Sequence, residues 1–145
     1  MKVLVDADAC PVKSIIVREA KKRGIPVTMV IDTSHELYDG YSRVITVDKG
    51  ADSADVKLIN LTKPGDLVVT QDFGVAAMAL GKGAFALNQN GIEFTEQNMD
   101  KFLFERHVKR EVRRRGRHTK GFPKRTIEDD RAFEKEFIAL LERKM

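Results

Sequence analysis

Apolar residues fall along this chain in short blocks separated by polar turns, and the spacing inside each block predicts its element. The run KVLV (2–5), apolar after Lys2, reads as a buried strand. Residues 11–24, PVKSIIVREAKKRG, place Val12, Ile15, Ile16 and Ala20 at helical spacing, with Pro11 suited to the first turn and Gly24 to the stop. PVTMVI (26–31) and RVITV (43–47) repeat the strand pattern. Residues 52–65, DSADVKLINLTKPG, predict a helix closed by Pro64 and Gly65; DLVVT (66–70) predicts a strand, FGVAAMALGKG (73–83) a short helix and AFAL (84–87) a last strand. Nearly all-apolar strands alternating with helices predict an α/β fold of three layers, with a mostly parallel central sheet covered on both faces. Two further helices follow, over about 96–115 and over 126–144, separated by the exposed loop GRHTKGFPKR. In the last helix Thr126 is placed to cap, and Phe133, Phe137, Leu140 and Leu141 share one face.

A length of 145 residues predicts one domain, 1–145, and 42% apolar residues suffice for a core. No apolar run approaches the roughly 18 residues of a membrane span. Asp6 and Asp8 interrupt the first apolar stretch, so no signal peptide is expected. The single cysteine, Cys10, can form neither an internal disulfide nor a multi-thiol zinc site. These features predict a soluble cytoplasmic protein.

Charge changes the picture more than composition does. The net charge of +4 conceals an asymmetry: Lys101 to Arg125 holds eleven Lys/Arg against Glu105 and Glu111, while the rest holds fifteen bases and twenty acids. The chain thus carries a basic C-terminal extension from about residue 101, which favours a polyanionic partner over a merely solvated helix face. Arg110, Arg113, Arg114, Arg115, Arg117 and Lys120 are the candidate contacts to a nucleic-acid backbone. His107 and His118 add to that basic surface, and Phe122 is too isolated to claim as a stacking platform.

Acidic residues mark the opposite chemistry. In an open parallel sheet, ligands bind outside the carboxyl ends of the strands. Asp6 and Asp8 follow the first strand, Asp52 and Asp55 open the helix after the third, and Asp72 follows DLVVT. If those strands are neighbours, carboxylates from distant segments meet on one edge, an oxygen-rich set suited to Mg²⁺ or Mn²⁺. Each acid except Asp6 also has a plainer use. Asp8 could help cap the first helix, Asp52 and Asp55 could form a capping box, and Asp72 could cap the 73–83 helix. Asp55 shares a helical face with Ile59 and is expected to lean inward. Asn88, Gln89 and Asn90 could reach the same edge, but Asn90-Gly91 is a strong turn signal and favours a turn. His35, in the loop DTSHELYDGYSR, has no evident partner, and that loop could cover the site.

The segments VDADACPVK, VDKGADSADVKL, GDLVVTQDFGVAAMAL, ALNQNGIEFT and GFPKRTIEDDRAFEKEF together resemble the YaiI/YqxD family of bacterial proteins, over essentially the whole chain. That family is related to PIN-like domains, many of them metal-dependent ribonucleases and others inactive scaffolds. The PIN-like pattern has an Asp after the first strand, an acid opening a central helix and a Ser/Thr-x-Asp after a later strand. Asp6, Asp55 and Thr70 to Asp72 match those places. The resemblance implies a Mg²⁺- or Mn²⁺-dependent nuclease acting on nucleic acid, RNA foremost, with a homodimer as an open option. Asp6, Asp55 and Asp72 would be catalytic and hold the metal, with Asp8 and Asp52 as direct or water-mediated ligands. Thr70 would orient Asp72 or contact substrate. Lys13 and Ser14, in the first turn of the first helix, would bind a phosphate, unless Lys13 is simply solvated.

Three other readings compete. Cys10 before a helix could be a nucleophile, but nearby acids oppose its ionisation and no histidine is close in sequence. A haloacid-dehalogenase-like phosphatase also places Asp-x-Asp after its first strand, though Cys10 departs from that motif and Glu128, Asp129 and Asp130 read as a helix start. The third is a non-catalytic nucleic-acid-binding module.

Overall fold

The computed structural model describes residues 1–32, 37–48, 53–114 and 124–144. Alternation of apolar blocks produces six strands and five helices among them: β1 (Val3–Asp6), α1 (Lys13–Lys22), β2 (Val27–Asp32), β3 (Arg43–Val47), α2 (Ser53–Leu61), β4 (Leu67–Val69), α3 (Phe73–Gly81), β5 (Phe85–Leu87), β6 (Glu93–Phe94), α4 (Glu96–Arg114) and α5 (Ile127–Lys144). The sheet runs β3-β2-β1-β4-β5-β6. Every pairing is parallel except the last, where β6 returns antiparallel to β5.

Both faces of the sheet are covered, which is why its strands carry almost no polar residues. Side chains alternate across a strand. Val3 and Val5 face one way and pack with Ile15 and Ile16 of α1 and with Phe133, Phe137, Leu140 and Leu141 of α5. Leu4, Val30 and Val68 face the other way, onto Leu58 of α2, Val75 and Ala79 of α3, and Met99 of α4. This is the three-layer α/β/α arrangement the pattern predicts.

Helix ends follow local chemistry. Gly24 takes φ +65, and the Ile25 amide bonds back to the Ala20 carbonyl, closing α1. Thr126 and Asp129 exchange side-chain and backbone bonds at the start of α5, a capping box with aspartate in the last place. Arg125, just before it, donates to Asp130 at 2.7 Å.

The short strand β6 is missing from the sequence-based strands, which end at AFAL. Two residues are too few to show a period of two. Its turn is legible, however. The Asn88 side chain accepts from the Asn90 and Ile92 amides, and Gly91 takes φ +81. A Cβ on Gly91 would lie 2.4 Å from the Ala132 carbonyl oxygen, so the hairpin packs directly against α5.

Candidate functional site: an acidic cleft at the carboxyl edge

From β1 the chain moves outward through β2 to β3, then crosses back to place β4 on the other side of β1. The carboxyl ends of β1 and β4 therefore flank the point where the strand order reverses, the crevice in which open α/β sheets bind ligands. Asp6 is the last residue of β1 and lies in the same alternation as Leu4, toward the face covered by α2 and α3. Thr70, immediately after β4, has the parity of Val68 and faces the same way. Its buried hydroxyl donates to Asp6 Oδ2 at 3.1 Å and accepts from the Asp72 amide at 3.0 Å. One threonine thus joins the ends of the two central strands, and it bonds the Asp6 carboxylate rather than that of Asp72.

Three other acids come close enough to act on Asp6. Burial pushes its carboxyl from the ordinary 3.8 up to about 6, the Thr70 hydrogen bond opposes that, and the charges of Asp55, Asp8 and Asp72 push the same way as burial. Asp55 arrives because α2 packs over β1 and β2 with its first turn at this edge. Asp72 caps α3, its Oδ1 accepting from the Val75 amide at 3.0 Å, so the plainer use and the proximity to Asp6 hold together. Asp8 is not the cap of α1: Val12 occupies that place without a side-chain bond, and Asp8 Oδ2 accepts instead from the Asp32 amide of β2 at 3.2 Å. The turn between Asp8 and α1 carries strain, since Ala9 adopts φ 58.

A cleft of about 210 Å³ opens at this edge, lined by Asp6, Asp8, Asp32, Asp48, Asp55, Val47 and Ala54. Asp72 stands beside Asp6 but outside those walls. Asp32 and Asp48 were not among the candidates from sequence, although a signal existed. Asp32 closes β2 as Asp6 closes β1, and Asp48 directly follows β3. The repetition of apolar strand then aspartate, in VLVD, VTMVID and VITVD, marks the carboxyl edge three times.

Around the cleft, Lys13 Nζ reaches back to the Ala7 carbonyl at 3.4 Å, over the loop that carries Asp8, and Ser14 is exposed one residue further on. Gln71 donates to Ala9 O and to the Gln89 side chain, tying the loops after β1, β4 and β5 together. Arg125 holds the Gln89 carbonyl at 2.8 Å and the Asn90 side chain at 2.9 Å. Cys10 is buried, and burial raises its thiol pKa, which weighs against a nucleophilic role. Glu128, Asp129 and Asp130 form the first turn of α5 and do not line the cleft. Arg110 and Arg114 are exposed on α4; Arg113 lies in that helix with its side chain outside the described set. Asp52, Arg115, Arg117, Lys120, His35, His118 and Phe122 lie outside the described residues.

Comparison with known proteins fixes the kinship. The model of the uncharacterized YaiI/YqxD family, DUF188, matches residues 4–143. The chain belongs to the YaiI/YqxD family. The UPF0178 protein of Ruminiclostridium cellulolyticum is 61% identical, covering 97% of this chain and 92% of that protein. The UPF0178 protein CA_C2825 of Clostridium acetobutylicum is 52% identical, covering 99% and 98%. Among solved structures, Rae1 (YacP) from Bacillus subtilis, in its W164L mutant form, superposes at a TM-score of 0.44 with 18% identity, covering all of both chains.

In this YaiI/YqxD member the donor chemistry of the cleft suits a hard divalent cation: among the described residues the titratable groups lining it are all carboxylates, and a positive ion would offset the burial that chiefly raises Asp6 and the charges of Asp55, Asp8 and Asp72 that add to it. Among the described residues, no group of three or more histidine, cysteine, aspartate or glutamate side chains stands where it could hold a metal ion. The fit is one of chemistry and charge. No helix among the described residues is long and apolar enough to cross a membrane.

Proposed function

We propose that this chain is a PIN-like, Mg²⁺- or Mn²⁺-dependent nuclease that hydrolyses phosphodiester bonds, with RNA as its substrate. The observation that carries the reading is the gathering of Asp6, Asp8 and Asp55 about one cleft at the β1–β4 crossover, with Asp72 close enough to perturb Asp6. Asp6, Asp8, Asp55 and Asp72 would hold the cation, with Asp52 assigned to the same set. When bound, such an ion neutralises phosphate charge and lowers the pKa of water, supplying a nucleophile at neutral pH.

The chain's own residues do the rest. Thr70 pins one oxygen of Asp6 through its hydroxyl and so fixes how that carboxylate faces the cleft. Because Thr70 is buried, its role is positioning rather than substrate contact. Lys13 and Ser14, at the positive end of α1, offer charge and a hydroxyl to a phosphate entering past the Asp8 loop. Arg110 and Arg114, with Arg113, Arg115, Arg117 and Lys120, would bind the backbone without regard to sequence.

The test is cleavage of single-stranded RNA with Mn²⁺ and with EDTA. The reading expects cutting only with metal, and expects Asp6→Asn to abolish cutting while RNA binding persists. A wild-type protein that binds RNA and leaves it intact with both Mg²⁺ and Mn²⁺ would instead be a non-catalytic binding module. The lack of a preformed ligand trio among the described residues is the observation on that side.

A further inference from the structure

Beyond Phe102, the side chains described on α4 are mostly exposed, with Glu111 and Val112 half-buried. Phe102 is its last core residue and packs against Phe73, ring centres 5.8 Å apart, where α3 opens next to Asp72. The twelve residues that follow in α4, 103–114, extend for about 18 Å. They start beside the carboxyl edge and carry an unusual surface. Leu103, Phe104 and Val108 are 45%, 67% and 42% exposed. Residues 101–114 also hold six Lys/Arg against two Glu, a surplus of four that equals the net charge of the whole chain. On the helix, Lys101, Phe104 and Val108 fall in one row, and Leu103, Arg110 and Arg114 in the next. Each row mixes apolar side chains with cations.

The charge decides what occupies this surface. A second copy docked through the same segment would set one cationic helix against another, and like charges across an interface are costly. The matching partner is an anion that also presents flat apolar faces. Single-stranded nucleic acid does both, with phosphates for the cations and unpaired bases for the ring, whereas a duplex keeps its base faces stacked inside. We infer that the distal half of α4 is an arm for single-stranded nucleic acid, in which Phe104 stacks on an unpaired base while Lys101, Arg110 and Arg114 hold phosphates. The inference rests on the nuclease reading only for the direction of the strand, from arm to cleft.

Binding of labelled oligouridine, single-stranded DNA of the matching sequence and a duplex to the whole protein in EDTA tests it. Phe104→Ala is expected to weaken single-strand binding about tenfold and leave duplex binding unchanged, with Phe104→Tyr close to wild type. Equal losses for RNA and DNA make the arm indifferent to the sugar; a loss confined to one names its ligand. Unchanged single-strand affinity in Phe104→Ala overturns the arm, and a shift from dimer to monomer in sedimentation without that loss assigns the surface to a second copy. The absence of metal separates the two readings. A Phe104 effect with no Mn²⁺-dependent cutting keeps the arm and removes the nuclease, while metal-dependent cutting with no Phe104 effect does the reverse.

Discussion

Asp6 and Glu19 lie thirteen positions apart in this chain, and the fold treats their carboxylates in opposite ways. Glu19, on α1, is buried beneath three cations: Arg18 at 2.8 Å, Lys22 at 3.2 Å and Arg23 at 3.2 Å. Arg18 and Arg23 continue to Glu134 and Glu142, so the cluster ties α1 to α5. The Arg18 hydrogen bond above all, with those of Lys22 and Arg23, draws Glu19 down to about 2. Asp6 rises instead to about 6, through burial first and then the charges of Asp55, Asp8 and Asp72. A chain with cations to spare sets three of them around a helix–helix contact and lines the cleft at its crossover with acids. One carboxylate is held in its charged form by partners within the fold; under the proposed function the other would be held so by a bound cation.

Removing each charge should therefore have opposite consequences, and this contrast carries the largest expected effects. Asp6→Asn should abolish metal-dependent cleavage yet raise the stability of the metal-free protein at pH 7.5. Two pKa units would be about 3 kcal/mol, and partial solvent screening reduces that to about 1–2 kcal/mol. Glu19→Gln should leave cleavage intact and lower stability by about 2 kcal/mol, because three cations lose their common partner. Urea denaturation in EDTA reads both; a destabilised Asp6→Asn would mean that the cleft is not electrostatically strained.

The pH dependence sharpens the same contrast. The folded pKa of Asp6 is raised, so the native state holds its proton more tightly than the unfolded chain does. That contribution to stability is present below about 4 and is lost as pH climbs through about 6. Glu19 is depressed, so its contribution is present above 4.5 and is lost as pH falls toward about 2. Thermal melts in EDTA should show a decline between pH 4 and 6 that Asp6→Asn lacks. Saturating Mn²⁺ should erase that decline in the wild type, and a decline that survives the metal would separate Asp6 from the cation.

The two regions also differ in how much of them the sequence reveals. Strand ends are legible because the sheet is parallel and its apolar blocks are clean, so the positions of Asp6, Asp55 and Asp72 near one edge could be inferred from order alone. Asp32 and Asp48 obey the same rule, but each runs into a polar loop in which one more aspartate does not stand out. The Glu19 cluster was not legible at all. Its neighbours at i−1, i+3 and i+4 look like an ordinary solvated helix face, and the acids of α5 that complete the cluster, Glu134 on Arg18 and Glu142 on Arg23, lie more than a hundred residues later. Asp8 shows the limit from the other side: proximity to a helix start suggested a cap, whereas its bond runs across the sheet to β2.

Thr70 offers the next test, of smaller size. Thr70→Val keeps the volume but removes the acceptor of the Asp72 amide and the donor to Asp6. Losing buried hydrogen bonds should cost about 1–3 kcal/mol, partly independent of metal. The carboxyl of Asp6 should rise further, since the Thr70 bond is what holds it down. Mn²⁺ affinity should fall about tenfold or more, as when an outer-shell partner of a ligand is removed. Thr70→Ser, which keeps the hydroxyl, should restore affinity. Calorimetric titration of Mn²⁺ into both variants decides it, and equal affinities would leave Thr70 a purely structural link between β1 and β4.

The smallest effect expected is at Lys22. Its side chain is 63% exposed, and it contributes one of three contacts to Glu19 at 3.2 Å. A helical pair whose cation is so exposed is worth about 0.3–0.5 kcal/mol and is screened by salt. Lys22→Ala should thus lower the urea midpoint slightly, and less so at high salt, with Arg18 and Arg23 still covering the carboxylate. Arg23→Ala should cost more, because that guanidinium is only 17% exposed and also bonds the Glu19 carbonyl and Glu142. If the two substitutions prove equal, Glu19 is stabilised by its bulk surroundings rather than by named partners. The contrast with Asp6, which Asp55, Asp8 and Asp72 all push the same way, would then rest on the cleft alone.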